Sequence, residues 1–447
     1  MGSMRESGKN SKIRIGRSLL SNEAAVNPFF ELPEISTVQQ WLIALTLTLA
    51  IYETNGMRKA FIVASLCSLL VSIRACGNRY NMAMLGHGIV RTPVVILIPA
   101  IYFVGIGLYF AKAGGGNVGF GAASLIGFGA LFISALGMAL FTDDHRSFFR
   151  ALAIGGTFVA FHAFLQMWRR TPDSGWLFNP VRWWHDPGSY HVTMRLGMGS
   201  FPWSSRIAAW LNVISGTTLA VISYSKNWKQ KAFWSFCLFA MVAGTFFSGS
   251  RTGLVILIII GLVFAARKPG MGRTLAGIAA CIGTLAIGVM ATMKRSPIRG
   301  DGSLRSRFSM WKLCLQIAKD HPLFGGGVQS FKRAWPGYAT THGYNPFAFQ
   351  DPHNVYMLMI SDGGFVMLGF AVLLMVSIFW YAISAIRSKL PRGARTFVLM
   401  LTAGLVMIPI NDIIDDAISS VCIQTLVIAL TGIICGMRIR AINLAKG

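Results

Sequence analysis

Apolar runs close to the ~20 residues that a helix needs to cross a bilayer recur along the chain, separated by short charged stretches. They fall at about 37–53, 60–78, 92–111, 120–142, 151–168, 206–225, 232–249, 253–266, 274–292, 364–386, 396–411 and 417–437. The pattern predicts an all-α polytopic membrane protein with about twelve transmembrane helices and both termini on one side. Two long segments interrupt it, 169–206 and 293–363. The second is too polar to span. Within it Phe308, Trp311, Leu315 and Ala318 recur at helical spacing and predict a helix with those residues on one face. The helix should stop near His321-Pro322, and Gly325-Gly326-Gly327 predicts a turn. The organisation expected is an N-terminal arm (1–36), spans one to nine (37–292) with the loop 169–206, a large loop (293–363), and spans ten to twelve with a tail (364–447). Met1-Gly2-Ser3 ahead of Met4 reads as a cloning remnant.

Composition agrees. Hydrophobic residues make up 54% of the 447 and charged ones 13%, with mean hydropathy +0.56; soluble domains carry about 25% charged residues. The formal net charge is +25. In a soluble protein that excess would point to nucleic acid; here the cations orient the spans. With the termini cytoplasmic, the inside segments hold 23 of the 41 Lys and Arg. The short outside loops hold four: Arg58, Lys59, Lys112 and Arg251. The two long outer segments carry fourteen more Lys and Arg against five Asp. That basic outer surface predicts an anionic ligand. Six of seven cysteines lie in or beside apolar runs and only Cys314 lies in the large loop, so no disulfide or zinc motif is expected.

Asp351-Pro352-His353-Asn354 precedes the apolar run VYMLMI. Asp suits an N-cap and Pro the first helical position, which would put His353 in the first turn of a helix at the membrane surface. The positive end of the helix and nearby arginines favour a neutral imidazole there, as a general base requires. A purely capping or interfacial His is the competing reading. Arg206 and Arg251 sit at outer ends of spans, and Arg307 lies four residues before Trp311. Such arginines suit a pyrophosphate, whose oxygens guanidinium binds bidentately; snorkelling to headgroups, or for Arg307 pairing with Asp301 or Asp320, is the alternative. The stretch Val181–His191 reads as an interfacial aromatic belt or a sugar-stacking surface. The outer loops contain no DxD, no HExxH and no neighbouring carboxylate pair, so no metal or other cofactor is expected. The acids of PINDIIDDA read as solvated at a membrane end, and no repeat divides the chain into halves, as a transporter would predict.

Arg307-x-x-x-Trp311, His321-Pro322-Leu323-Phe324-Gly325-x-Gly327 and His353-Asn354 occur in that order before a Gly-containing span, with Ser250-Arg251 upstream. This ordered set resembles the O-antigen ligase/polymerase (Wzy-C) superfamily, over roughly residues 200–370, and the span count with one large outer loop resembles its WaaL-type ligases. The resemblance implies a GT-C-type membrane glycosyltransferase of the Gram-negative inner membrane, its site facing the periplasm. Such enzymes transfer O antigen from undecaprenyl pyrophosphate to a sugar hydroxyl of lipid A–core, inverting the anomeric centre without a metal. His353 would be the base. Arg206 and Arg307 would bind pyrophosphate, with Arg251 assisting and Trp311 and Asn354 supporting. The family's Asn-Pro-Asn element after the first Arg is reduced here to Asn212. An O-antigen polymerase or a protein-glycosylating ligase remains open, as does a non-enzymatic lipid or glycan transporter.

Overall fold

The computed structural model describes residues 34–50, 55–75, 96, 118–142, 145–169, 204–248, 250–266, 302–327, 329–344, 352–388, 390–413 and 421–446. Among them lie twelve helices and no strand: α1 (Glu34–Leu49), α2 (Asn55–Ala75), α3 (Val118–Phe141), α4 (Arg146–Arg169), α5 (Ser204–Tyr224), α6 (Trp228–Ser248), α7 (Arg251–Ala266), α8 (Gly302–Asp320), α9 (Ser330–Thr341), α10 (Val355–Ile386), α11 (Arg392–Asn411) and α12 (Val421–Lys446). Ten of these coincide with predicted spans; α8 and α9 belong to the polar insert. The predicted spans 92–111 and 274–292, the N-terminal arm and the stretch Val181–His191 lie outside the described residues. Five of the described helices, α4, α5, α10, α11 and α12, are long and apolar enough to cross a membrane. The chain is all-helical here and has the makeup of a polytopic membrane protein.

Small residues set the helix–helix distances. Gly432 and Gly436, one turn apart on α12, face α3 so closely that a Cβ would lie 2.8 Å from the Phe132 carbonyl oxygen and 2.7 Å from that of Leu136. Buried glutamines of α1 find partners on neighbouring helices, as a low-dielectric interior favours. Gln39 donates to Ser72 Oγ at 2.7 Å and to the Ser134 carbonyl at 3.2 Å, and Gln40 accepts from the Phe148 amide at 2.8 Å. The main core gathers around Phe148, Phe149 and Trp210, all fully buried, with Phe149 stacked on Phe397 at 4.2 Å.

Contacts fix the helix directions around α5. Tyr224 Oη donates to the Gly393 carbonyl at 3.1 Å, Gly216 faces Met400, and Gly404 faces Val213, so α5 and α11 are antiparallel. Gly253 faces Ala208, and Gly216 faces Ile260, so α5 and α7 are parallel. Continued outward by less than two turns, the two registers bring Arg206 level with Asn411 on one neighbour and with Arg251 on the other.

A second, separate core holds the insert together. It comprises Met310, Leu313 and Cys314 of α8 and Phe331, Trp335 and Ala339 of α9. The helix expected after Arg307 is present and ends at Asp320, before Pro322. Met310, Leu313, Cys314 and Ala318 face inward, while Phe308 and Leu315 are 62% and 50% exposed. The expected stripe was one apolar face of two; the face turned inward is the one that meets α9. That second helix was not foreseen, because Pro336 and Gly337 interrupt its sequence pattern.

Candidate active site

The N-terminal end of α10 organises the site. Its 32 residues amount to about 48 Å of helix, against about 30 Å of bilayer hydrocarbon, so the helix is longer than a straight crossing requires. It kinks at Gly364 (φ 64°, ψ −163°). A kink releases backbone groups that must find other partners, and the HPLFGGG loop takes up four of them. The Phe365 amide donates to the Pro322 carbonyl at 2.9 Å and the Val366 amide to that of Leu323 at 3.2 Å. In return, Gly326 donates to the Ser361 carbonyl at 2.8 Å and Gly327 to that of Asp362 at 3.1 Å. The two backbones touch. A Cβ on Gly364 would overlap the Leu323 carbonyl, and one on Gly325 (φ 64°) would lie 2.6 Å from the Ser361 oxygen.

Asp362, buried beside the kink, caps α9. Its Oδ2 accepts from the Gln329 amide and its Oδ1 from the Ser330 amide, both at 3.0 Å, and Ser330 Oγ donates to Oδ1 at 2.7 Å. An acidic group on the donors of a helix N-terminus is favourable. The Cys314 thiol hydrogen-bonds Ser361 from α8, and burial pushes that thiol up to about 12. The three helices α8, α9 and α10 thus meet on one short stretch, 361–366.

The start of α10 corrects one expectation. Asn354, not Asp351, is the N-cap, and the helix begins at Val355 rather than at Pro352. Asn354 Oδ1 accepts from the Met357 amide at 3.0 Å, and its Nδ2 donates to the Ile413 carbonyl at 2.8 Å. The Val355 amide donates to the Asp412 carbonyl at 3.1 Å, and Tyr356 Oη to that of Pro409 at 3.0 Å. Orphan donors of one helix end therefore meet orphan carbonyls at the end of its antiparallel neighbour α11.

His353 consequently lies just before the cap, outside the helical turn. It is half-buried with φ 49°, a left-handed conformation rare outside Gly, Asn and Asp. Its neighbours hold it there: Trp311 Nε1 of α8 donates to the Pro352 carbonyl at 3.0 Å, and Asn354 is the cap. Arg307, half-buried, is one turn before Trp311 on α8 and so shares its side of that helix.

Arg206 lies in the first turn of α5 and is 9% exposed. Arg251 is the first residue of α7. Asn212, fully buried, ties the outer ends of three helices: its Nδ2 donates to the Gly253 carbonyl at 2.8 Å, and its Oδ1 accepts from Thr245 at 3.4 Å. The Asn left where the expected Asn-Pro-Asn element would lie thus fixes α7, and with it Arg251, against α5. The structure brings Trp311, His353 and Asn354 onto one junction, with Arg307 one turn before Trp311 on α8. Arg206 and Arg251 stand at the level of Asn411, directly before the residues that anchor Asn354.

Sequence reasoning missed Asp362, Gly364 and Asn411. The signal for the first two was present: an acid and two glycines, Asp362-Gly363-Gly364, inside an apolar run. Asn411 gave none. It is fully buried, and its side-chain amide has no hydrogen-bond partner among the described residues.

No curated protein matches the chain. A family model does: residues 236–371, from α6 to just past the kink of α10, match Wzy_C, described as O-Antigen ligase.

Proposed function

We propose that this protein is an O-antigen ligase of the GT-C type. It would transfer O-antigen polysaccharide from undecaprenyl pyrophosphate to a sugar hydroxyl of lipid A–core at the periplasmic face of the inner membrane. The observation that carries the reading is the fixed junction around His353, within the matched Wzy_C segment. The backbone on either side of His353 is fixed, by the Trp311 bond to the Pro352 carbonyl and by the Asn354 cap, and Arg307 lies one turn before Trp311 on α8.

In this reading the imidazole of His353 removes the acceptor hydroxyl proton. The acceptor oxygen bonds to the anomeric carbon from the face opposite the leaving group. The bond from that carbon to the pyrophosphate oxygen breaks, with inversion, and undecaprenyl pyrophosphate departs. The imidazolium then returns its proton to water. Arg206 and Arg307 hold the pyrophosphate oxygens, with Arg251 assisting, and stabilise the charge that grows on the leaving group. Pyrophosphate is a good leaving group, so guanidinium groups serve where a metal otherwise would. Trp311 and Asn354 position the His353 backbone.

The test is transfer by purified protein in detergent, with carrier-linked O antigen, lipid A–core and EDTA. Glycan on the core, unaffected by EDTA, is the result expected. Longer carrier-linked chains with an untouched core would replace the ligase by a polymerase. Glycan on neither acceptor, or dependence on added metal ion, would overturn the mechanism.

A further inference from the structure

The outer lobe exposes an apolar surface that the reaction does not use. Leu323 and Phe324, at the tip of the HPLFGGG loop, are 61% and 70% exposed, and Phe365 beside them is 55% exposed. The tip is not a free loop. Its carbonyls at Pro322 and Leu323 accept from the amides of Phe365 and Val366 on α10, which places it at the level of residue 365. That level is where the outward-facing stripe of α10 starts: Phe365, Val372, Val376 and Trp380 are all exposed, on a helix apolar enough to cross a membrane. The tip therefore lies at the level where the exposed apolar stripe of α10 begins.

The outward stripe of α8 has matching chemistry. Phe308, Lys312, Leu315 and Lys319 recur at i, i+4, i+7 and i+11, and all four are exposed. Apolar side chains alternating with ammonium groups are the pattern of a helix at a bilayer interface. The apolar groups enter the acyl boundary while the lysines extend to phosphates. One acid, Asp320, lies exposed at the end of this stripe.

We propose that the Leu323-Phe324 tip and the Phe308–Lys319 stripe of α8 are a membrane anchor, docked on the anionic phospholipid headgroups of the outer leaflet. The occupant is bulk lipid. A second protein copy would need a partner patch that the charged stripe does not favour, and continuity with the α10 surface favours the bilayer. The anchor fixes the height of α8 above the membrane and, through Trp311, that of the His353 backbone. It requires no particular substrate and stands apart from the glycosyl transfer.

The experiment uses the full chain in phosphatidylglycerol nanodiscs, with Cys67, Cys76, Cys281 and Cys422 replaced by Ser. Bimane is attached at Phe324→Cys or Leu315→Cys, with Thr340→Cys on the exposed face of α9 as control. Nitroxide lipids should quench positions 324 and 315 strongly and iodide hardly at all, with the reverse at 340. Iodide quenching at 324 equal to that at 340 would overturn the proposal. A benzoylphenylalanine at 324 in the otherwise native chain provides a second readout. Its photoadducts should be phospholipid; adducts with a second copy of the chain would replace the anchor by a self-contact.

Discussion

His353, the base of the proposed mechanism, has a strained backbone. A left-handed conformation costs a non-glycine residue about 1–2 kcal/mol, and such strain persists where the surroundings over-determine it. Here the Trp311 bond to Pro352 and the Asn354 cap do so. His353→Gly should therefore unfold about 1 kcal/mol later than His353→Ala, while both lose transfer; denaturation of the two variants side by side checks this, and equal stability would contradict it. Cys314 supplies a second residue-level prediction. Its thiol is buried with a pKa raised from the ordinary value to about 12, so the thiolate is scarce well above pH 8. Iodoacetamide at pH 8 should leave Cys314 unmodified until the lobe unfolds, as peptide mass mapping would show. His353, Arg307 and Trp311 are named as candidates from their order in the sequence. The left-handed backbone is not legible there, because the Asp-Pro signal for a helix start competes with Asn354, and only the carbonyls at the end of α11 decide between them.

At the scale of elements, the kink in α10 and the HPLFGGG loop form one device. The glycines in it are not interchangeable with others in the lobe. Gly364→Ala would drive a methyl into the Leu323 carbonyl at positive φ, displacing the loop and freeing backbone donors at about 1–3 kcal/mol each. Gly337, inside α9, has nothing within 4 Å of its Cβ position. Gly337→Ala should stabilise the protein by about 0.5–1 kcal/mol, with transfer retained. Thermal midpoints of the two variants should move in opposite directions. Ten helices were legible from hydropathy, since apolar length alone marks them. The end of α8 was legible from His321-Pro322. The start of α10 was misplaced, and α9 was hidden because its N-terminus is capped by Asp362, a residue 32 positions beyond the Ser330 it holds. Tertiary capping of that kind leaves no local trace.

Across the whole molecule, two distant chain segments converge. Asn212 links α5 to α6 and α7, and the α5–α11 register carries Arg206 to the level of the α10–α11 junction. Asn212→Ala removes two buried hydrogen bonds, each worth about 1 kcal/mol, and we expect a larger relative loss of transfer than of stability, because the Arg251 end of α7 is released. In the proposed mechanism His353 performs the proton transfer at a site where arginines hold the donor. The most direct measurement is transfer to lipid A–core by His353→Ala and Arg307→Ala, together with binding of carrier-linked donor and thermal unfolding. His353→Ala should fold, keep donor binding and lose about 10²–10⁴-fold in transfer rate, whereas Arg307→Ala should weaken donor binding as well. A folded His353→Ala variant that transfers at the wild-type rate would contradict the account.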